Sequence, residues 1–98
     1  MKKIDTILPG EILEEEFLEP LHISAYKLAK DIKISATRVS EIIRGKRKIS
    51  VDTALRLAKY FGNSVDFWIG IQTEYEIRCG QKTLEKQLET ISALKIAA

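Results

Sequence analysis

Apolar side chains recur along this chain with the period of a helix. Ala25, Leu28, Ala29 and Ile32 stand at the i, i+3, i+4, i+7 spacing that gives a helix one apolar face. Ser24 precedes them as an N-cap whose hydroxyl oxygen can accept an orphan N–H of the first turn. Val39, Ile42 and Ile43 form the next stripe, opened by Ser35 and closed by Gly45, which supplies a left-handed C-cap. Only Lys33 and Ile34 lie between the first helix and the second cap. Two short helices with so tight a joint cross steeply, which is the geometry of a helix-turn-helix over residues 25–44.

The same reading extends to both sides. Pro9-Gly10-Glu11 marks a helix entry, with Ile12, Leu13 and Phe17 facing a core until Pro20 stops the helix. Ser50 caps a stretch with Ala54, Leu57, Ala58 and Phe61 inward, and Gly62-Asn63 ends it. Ser64 starts another, marked on one side by Val65, Trp68 and Ile69 and weakened at Gly70. Gly80 then divides it from a final helix over residues 81–98 containing Leu84, Leu88, Ile91 and Leu94, with Ala97 and Ala98 frayed. The expected fold is one compact all-α domain of five or six helices spanning residues 1–98, without strands or internal repeats.

Charge changes this picture more than composition does. The net charge of +2 conceals a strong asymmetry. Residues 1–20 hold two basic and six acidic side chains, net −4, whereas residues 21–60 hold ten basic and three acidic, net +7, and the remainder four against five. A local excess of this size attracts a polyanion that the whole-chain charge would not. The single cysteine, Cys79, excludes an intramolecular disulfide and a cysteine-based zinc cluster, and reads as a small semi-buried side chain. Asp5, Pro9 and Glu11 interrupt any signal-peptide apolar region, and no run approaches the ~18 apolar residues of a membrane span, so a cytoplasmic protein without a membrane role is expected. With one histidine, one cysteine, no phosphate loop and no convergent acid cluster, an enzyme, a metal site or a cofactor is not expected.

The basic middle coincides with the helix pair. With Val39, Ile42 and Ile43 inward, the helix turns Ala36, Thr37, Ser40, Glu41 and Arg44 outward, with Arg38 at its flank. Short polar and basic side chains on a clamped helix are what entry into the DNA major groove requires. Ala36 can touch a thymine methyl, Thr37 and Ser40 can bond base edges or phosphates, and Arg44 can bind a guanine edge or a phosphate. Lys46, Arg47 and Lys48, adjacent cations in a loop, suit phosphate neutralisation, as does the capped helix start at Ser24. Arg38 and Glu41, three apart, either pair with each other or separate, Arg38 to a phosphate and Glu41 to a cytosine amino group. The consecutive Glu14, Glu15 and Glu16 fan ~100° apart per residue and cannot converge on a metal; they form a solvated acidic face or a contact surface for a basic protein.

Pro9-Gly10-Glu11-Ile12-Leu13, Phe17-Leu18-Glu19-Pro20-Leu21, the Leu28-Ala29 to Gly45-Lys46 helix pair, and Phe67-Trp68-Ile69-Gly70-Ile71-Gln72-Thr73-Glu74-Tyr75-Glu76-Ile77 together resemble the HigA-type antitoxins, the plasmid-maintenance antidote proteins of the Cro/cI-like helix-turn-helix superfamily. The resemblance covers roughly residues 8–78 and implies a lambda-repressor-like fold. It further implies a homodimer that binds double-stranded operator DNA in its own promoter and neutralises a HigB-like mRNA endonuclease toxin. Carried over residue by residue, it adds Ser35 to the base-contacting set of Ala36, Thr37, Ser40, Glu41 and Arg44. It places Trp68, Ile71, Gln72 and Tyr75 at a dimer interface, although core packing of Trp68 fits its spacing equally well. The toxin, as a basic RNA-binding nuclease, would meet the acidic segment at Glu14, Glu15 and Glu16. Three positions depart from the family pattern. Lys33 and His22 stand where glycine is common, so a left-handed backbone at Lys33 would cost ~1 kcal/mol or the turn must change, and Glu41 replaces a frequent arginine. A stand-alone repressor without a toxin and an interaction module without DNA binding are the alternative functions.

Overall fold

A computed structural model of the protein describes residues 7–95, so Lys2, Lys3 and Asp5 of the acidic segment and the terminal Ala97 and Ala98 lie outside the described residues. The elements are α1 (Pro9–Leu13), a π turn (Glu14–Leu18), α2 (Glu19–Leu21), α3 (Ala25–Ile32), α4 (Ala36–Ile43), α5 (Val51–Phe61), α6 (Val65–Thr83) and α7 (Glu85–Glu89). The first three pieces form one continuous rod, so six helices and no strand are found among the described residues, an all-α fold as expected.

Each helix from α3 to α6 begins at a serine. The hydroxyl oxygens of Ser24, Ser35, Ser50 and Ser64 accept the N–H groups of Lys27, Arg38, Thr53 and Phe67 respectively. Each bond satisfies one of the donors that a helix start leaves orphaned. Helix ends are equally regular. At His22, Lys33 and Gly45 the backbone enters the left-handed region, with φ of 55°, 62° and 77°. In each case the next residue's N–H reaches back across the turn: Ile23 to Leu18 O at 2.9 Å, Ile34 to Ala29 O at 3.0 Å and Lys46 to Glu41 O at 2.8 Å. These are Schellman closures, and they answer the question posed by the two missing glycines: the turn is kept and a side chain is carried through it. At Lys33 the strain of ~1 kcal/mol is offset by Arg56. Its Nη1 donates to Ile32 O at 2.8 Å and to Lys33 O at 3.3 Å, tying the strained turn to α5.

Two expected boundaries fall elsewhere. Pro20 does not stop the first helix, which runs on through α2 to a left-handed cap at His22. A proline inside an α-helix lacks its N–H and crowds the carbonyl four residues back. The turn before Pro20 is widened to π geometry, Glu19 N–H bonding Glu14 O, and this accommodates the ring without ending the rod. Nor does Gly80 divide the last helices. α6 continues through it to Thr83, the break comes at Leu84, and α7 ends where Thr90 Oγ1 donates to Gln87 O at 2.6 Å. Ile91 and Leu94 lie beyond it outside any helix, and every described residue from 81 onward is exposed. Their periodic spacing met no surface on which an apolar stripe could be buried, and packing, more than propensity, holds short helices together.

The core lies among α1 and the π turn, α3, α4, α5 and the first half of α6. Leu13, Leu18, Leu28, Val39, Ile42, Ile49, Leu57 and Trp68 are all buried in it. Phe17, Phe61, Phe67 and Trp68 form an aromatic cluster, the Phe17 and Trp68 centroids 4.8 Å apart and those of Phe67 and Trp68 5.0 Å apart and nearly perpendicular. This cluster joins the N-terminal rod to α6. The second half of α6 and α7 extend from the body, giving the chain extents of 54 × 33 × 21 Å.

Candidate nucleic-acid interface

α3 and α4 form the expected helix-turn-helix, with the joint at Lys33 to Ser35. On α4 the inner residues Val39 and Ile42 are 1% and 2% exposed, so one side of the helix is fixed to the body. Ser35, Ala36, Thr37 and Arg44 on the other side are exposed, and Ser40 and Glu41 are half-buried between the two sides. The outer side is therefore open to a partner. A second constraint acts at the far end of the helix. Gly10 of α1 sits so close to α4 that a Cβ there would come within 2.7 Å of the Ile43 Cα and nearer still to the Ile42 carbonyl. Leu8 covers Gly45 in the same way, its Cδ1 2.7 Å from where a Cβ would stand. The chain thus leaves α4 in one direction only, and Lys46, Arg47 and Lys48 follow as an exposed loop.

That loop is anchored again at its exit. Ile49 is buried, and its N–H donates to the Oε1 of Gln72 on α6 at 2.9 Å. Gln72 Nε2 donates in turn to Glu76 Oε2 at 3.2 Å. Gln72 was expected at a dimer interface, but it is 8% exposed and occupied within its own chain. Trp68 is 0% exposed, the core packing its spacing also allowed, and its Nε1 donates to Asn63 Oδ1 at 2.8 Å. Helical spacing places Trp68, Ile71, Gln72 and Tyr75 on one side of α6, but the rod and the basic loop cover that side unequally. Ile71 and Tyr75 remain half-buried at the surface, while Ile77, Leu84 and Leu88 are exposed on the extended part.

The charged side chains at α4 are paired in a way that spacing did not indicate. Arg38 does not turn to Glu41. Its Nη2 donates to Asp52 Oδ1 at 3.0 Å and to Thr53 Oγ1 at 2.6 Å, both on α5. Asp52 Oδ1 also accepts from Arg56 Nε at 2.8 Å. The hydrogen bonds from Arg56 and then Arg38 hold the Asp52 carboxyl below its ordinary value. Glu41 turns to the basic loop, its Oε1 accepting from Arg47 Nε at 2.9 Å and forming an ion pair with Nη2 at the same distance. Arg44 stays exposed, with its Nε 3.4 Å from Ser40 O. The third acid of the basic middle, Asp31, accepts from Lys27 Nζ at 2.8 Å and from the Tyr60 hydroxyl at 2.5 Å. Asp52, Thr53 and Arg56 were absent from the sequence-derived site. The i, i+4 spacing of Asp52 and Arg56 was available as a signal, whereas the link to Arg38 spans fourteen residues and is visible only in the fold.

Away from this surface, Glu15 and Glu16 border an apolar groove between α1 and α6 lined by Ile7, Ile12, Phe17, Phe67 and Ile71. Glu14 beside them is half-buried. Among the described residues no group of three or more histidine, cysteine, aspartate or glutamate side chains is placed to hold a metal ion, and no helix is long and apolar enough to cross a membrane.

Residues 15–68 match the helix-turn-helix family model HTH_3. Virulence-associated protein I of Dichelobacter nodosus is 44% identical over 80 residues, covering 82% of this chain and 74% of that protein. Among solved structures, Pseudomonas aeruginosa antitoxin HigA with the higBA promoter superposes with a TM-score of 0.88 at 42% identity, covering 92% of this chain and 99% of the other. An addiction module antidote protein of the HigA family from Coxiella burnetii gives a TM-score of 0.85 at 42% identity, covering 92% and 98%.

Proposed function

Since the chain belongs to the HTH_3 helix-turn-helix family and, within it, to the HigA-type antitoxins, we propose that it binds operator DNA as a homodimer, represses its own promoter and neutralises a HigB-like mRNA endonuclease. One observation supports the DNA part above all others: α4 is pinned by Val39 and Ile42 while Ser35, Ala36, Thr37 and Arg44 on its far side stay open. Ser35, Ala36, Thr37, Ser40 and Arg44 meet base edges, and Ser24, Arg38, Lys46, Arg47 and Lys48 meet phosphates. Ser24 and Ser35 spend an oxygen lone pair on their helix caps, which leaves the Ser24 hydroxyl hydrogen for a phosphate oxygen and that of Ser35 for a base edge. In the dimer, formed through Ile71, Tyr75 and the exposed Ile77, Leu84 and Leu88, the two recognition helices stand about 34 Å apart to meet half-sites one helical turn from each other.

Fluorescence anisotropy on a duplex from the chain's own upstream region and on a random duplex tests this reading. If about six phosphates are neutralised per dimer, affinity falls with salt at a log-log slope of roughly −5. Arg44→Ala weakens the operator complex by about 1 to 3 kcal/mol with little change on random DNA, whereas Lys46→Ala weakens both alike. Equal losses on the two duplexes for Arg44→Ala would remove it from base readout.

The toxin part is supported by family membership and by the acidic border of the apolar groove, where Glu15 and Glu16 flank Ile12 and Phe17. A basic nuclease is drawn to such a border. Co-purification with the product of the adjacent gene tests the pairing and separates it from a stand-alone repressor. Replacing Glu14, Glu15 and Glu16 together by lysine is expected to slow that association at low salt, and an unchanged on-rate places the toxin elsewhere.

A further inference from the structure

The basic middle of the chain contains three acidic residues, and two of them grip arginines at the surface proposed to meet DNA. Arg38 belongs to the first turn of α4, and Arg47 follows its C-terminal end. A guanidinium has five N–H donors in a planar fork. Asp52 and Thr53 engage Nη2 of Arg38, and the side chain remains 27% exposed, so its Nε and Nη1 are left as separate single donors for a phosphate oxygen. Glu41 engages Nε and Nη2 of Arg47 through one oxygen, which leaves Nη1 out of that contact on a side chain 51% exposed. The geometry therefore points to Glu41 and Asp52 as positioning residues that fix Arg47 and Arg38 for phosphate contact at the two ends of the recognition helix, with Glu41 reading no base.

The physical case rests on a balance of two effects. A carboxylate near DNA repels phosphates and cancels part of the arginine's long-range attraction. A free arginine, however, loses rotamer freedom when it settles on a phosphate, and one already tethered has lost it beforehand. For Arg47 the tether, through Nε and Nη2, also leaves the Nη1 side of the fork for a bidentate guanidinium–phosphate bond, whereas Arg38 keeps single donors. Asp52 fits this role doubly, because the oxygen that holds Arg38 also holds Arg56, and Arg56 binds the carbonyls of the turn at Ile32 and Lys33. One carboxylate thereby connects α4, α5 and the turn between α3 and α4.

The inference rests on the DNA-binding reading, and the sign of a neutral substitution tests it separately. Anisotropy titrations use the full chain and the two duplexes above, with Glu41→Gln, Arg47→Ala and the double variant, and in parallel Asp52→Asn, Arg38→Ala and their double. Thermal melts confirm that each is folded at the titration temperature. Glu41→Gln is expected to weaken operator and random DNA alike by about threefold to tenfold, and to add nothing once Arg47 is alanine. Asp52→Asn should behave in the same way toward Arg38. The salt slope should become shallower by about 0.9 for each phosphate that is no longer neutralised. Tighter binding of both duplexes by Glu41→Gln would make the acid a repelling bystander, a loss confined to the operator would make it a base reader, and additive losses in the doubles would break the coupling; each outcome overturns the inference while DNA binding stands. If the unaltered protein shifts neither duplex at low salt, the DNA-binding reading itself falls and takes the inference with it.

Discussion

Gly10→Ala is expected to destabilise the protein by about 2 to 4 kcal/mol and to weaken operator binding beyond what the loss of folded protein explains. Helix propensity alone predicts the opposite sign, because alanine in a helix is favoured over glycine by about 1 kcal/mol. The difference is made by the neighbour. A Cβ on Gly10 would overlap Ile42 O and fall 2.7 Å from both Ile42 C and Ile43 Cα. These are backbone atoms of the recognition helix and cannot rotate away as a side chain does. Either α1 lifts off α4, opening the core around Leu13, or the end of α4 shifts. The second route disturbs DNA binding, since Ile42 O accepts the Gly45 N–H at 3.1 Å in the closure that launches Lys46 to Lys48.

Gly70→Ala supplies the control. Nothing lies within 4 Å of a Cβ at Gly70, in the middle of α6, so propensity should prevail there and stability should rise by up to about 1 kcal/mol. Thermal denaturation of the two variants against the unaltered protein measures both. For a domain of this size a loss of 1 kcal/mol lowers the melting midpoint by about 4 to 8 °C, so opposite shifts are readily separated. A Gly10→Ala midpoint equal to or above that of the unaltered protein would mean that α1 does not press on the backbone of α4 at Gly10.

Gly10 also marks where the sequence stops being informative. The serine caps at 24, 35, 50 and 64 and the left-handed ends at Gly45 and Gly62 are local devices, decided within a few residues, and they could be read directly. The inner stripe of α4 was legible for the same reason: Val39 and Ile42 are buried as their spacing required. Gly10 at a helix entry looked like a local choice, but its cause is a backbone thirty-odd residues away. Arg38 likewise had a plausible neighbour in Glu41 and found a better one in Asp52, where Thr53 supplied a second acceptor. At the C-terminal end the error ran the other way. Leu84, Leu88, Ile91 and Leu94 keep a helical period, yet the helix ends at Glu89 because no other element among the described residues covers that stripe.

Trp68→Ala is expected to cost about 3 to 5 kcal/mol, enough to remove most of the stability of a small domain. The indole is fully buried, it contacts Phe17, Phe61 and Phe67 with centroids 4.8, 6.0 and 5.0 Å away, and its N–H donates to Asn63 Oδ1. Truncation would leave a cavity where the N-terminal rod meets α6 and strip the Asn63 amide of its partner. Trp68→Phe keeps part of the ring volume but loses the hydrogen bond, so its loss should be intermediate. A core role and a dimer-interface role differ in how they respond to dilution. As the only tryptophan in the chain, Trp68 reports its own surroundings by fluorescence. A core indole keeps a blue-shifted emission when dilution separates the protomers of the proposed dimer, and the loss caused by Trp68→Ala is the same at every protein concentration. An interface indole would shift to the red on dilution, and its truncation would be felt chiefly at concentrations where the proposed dimer forms.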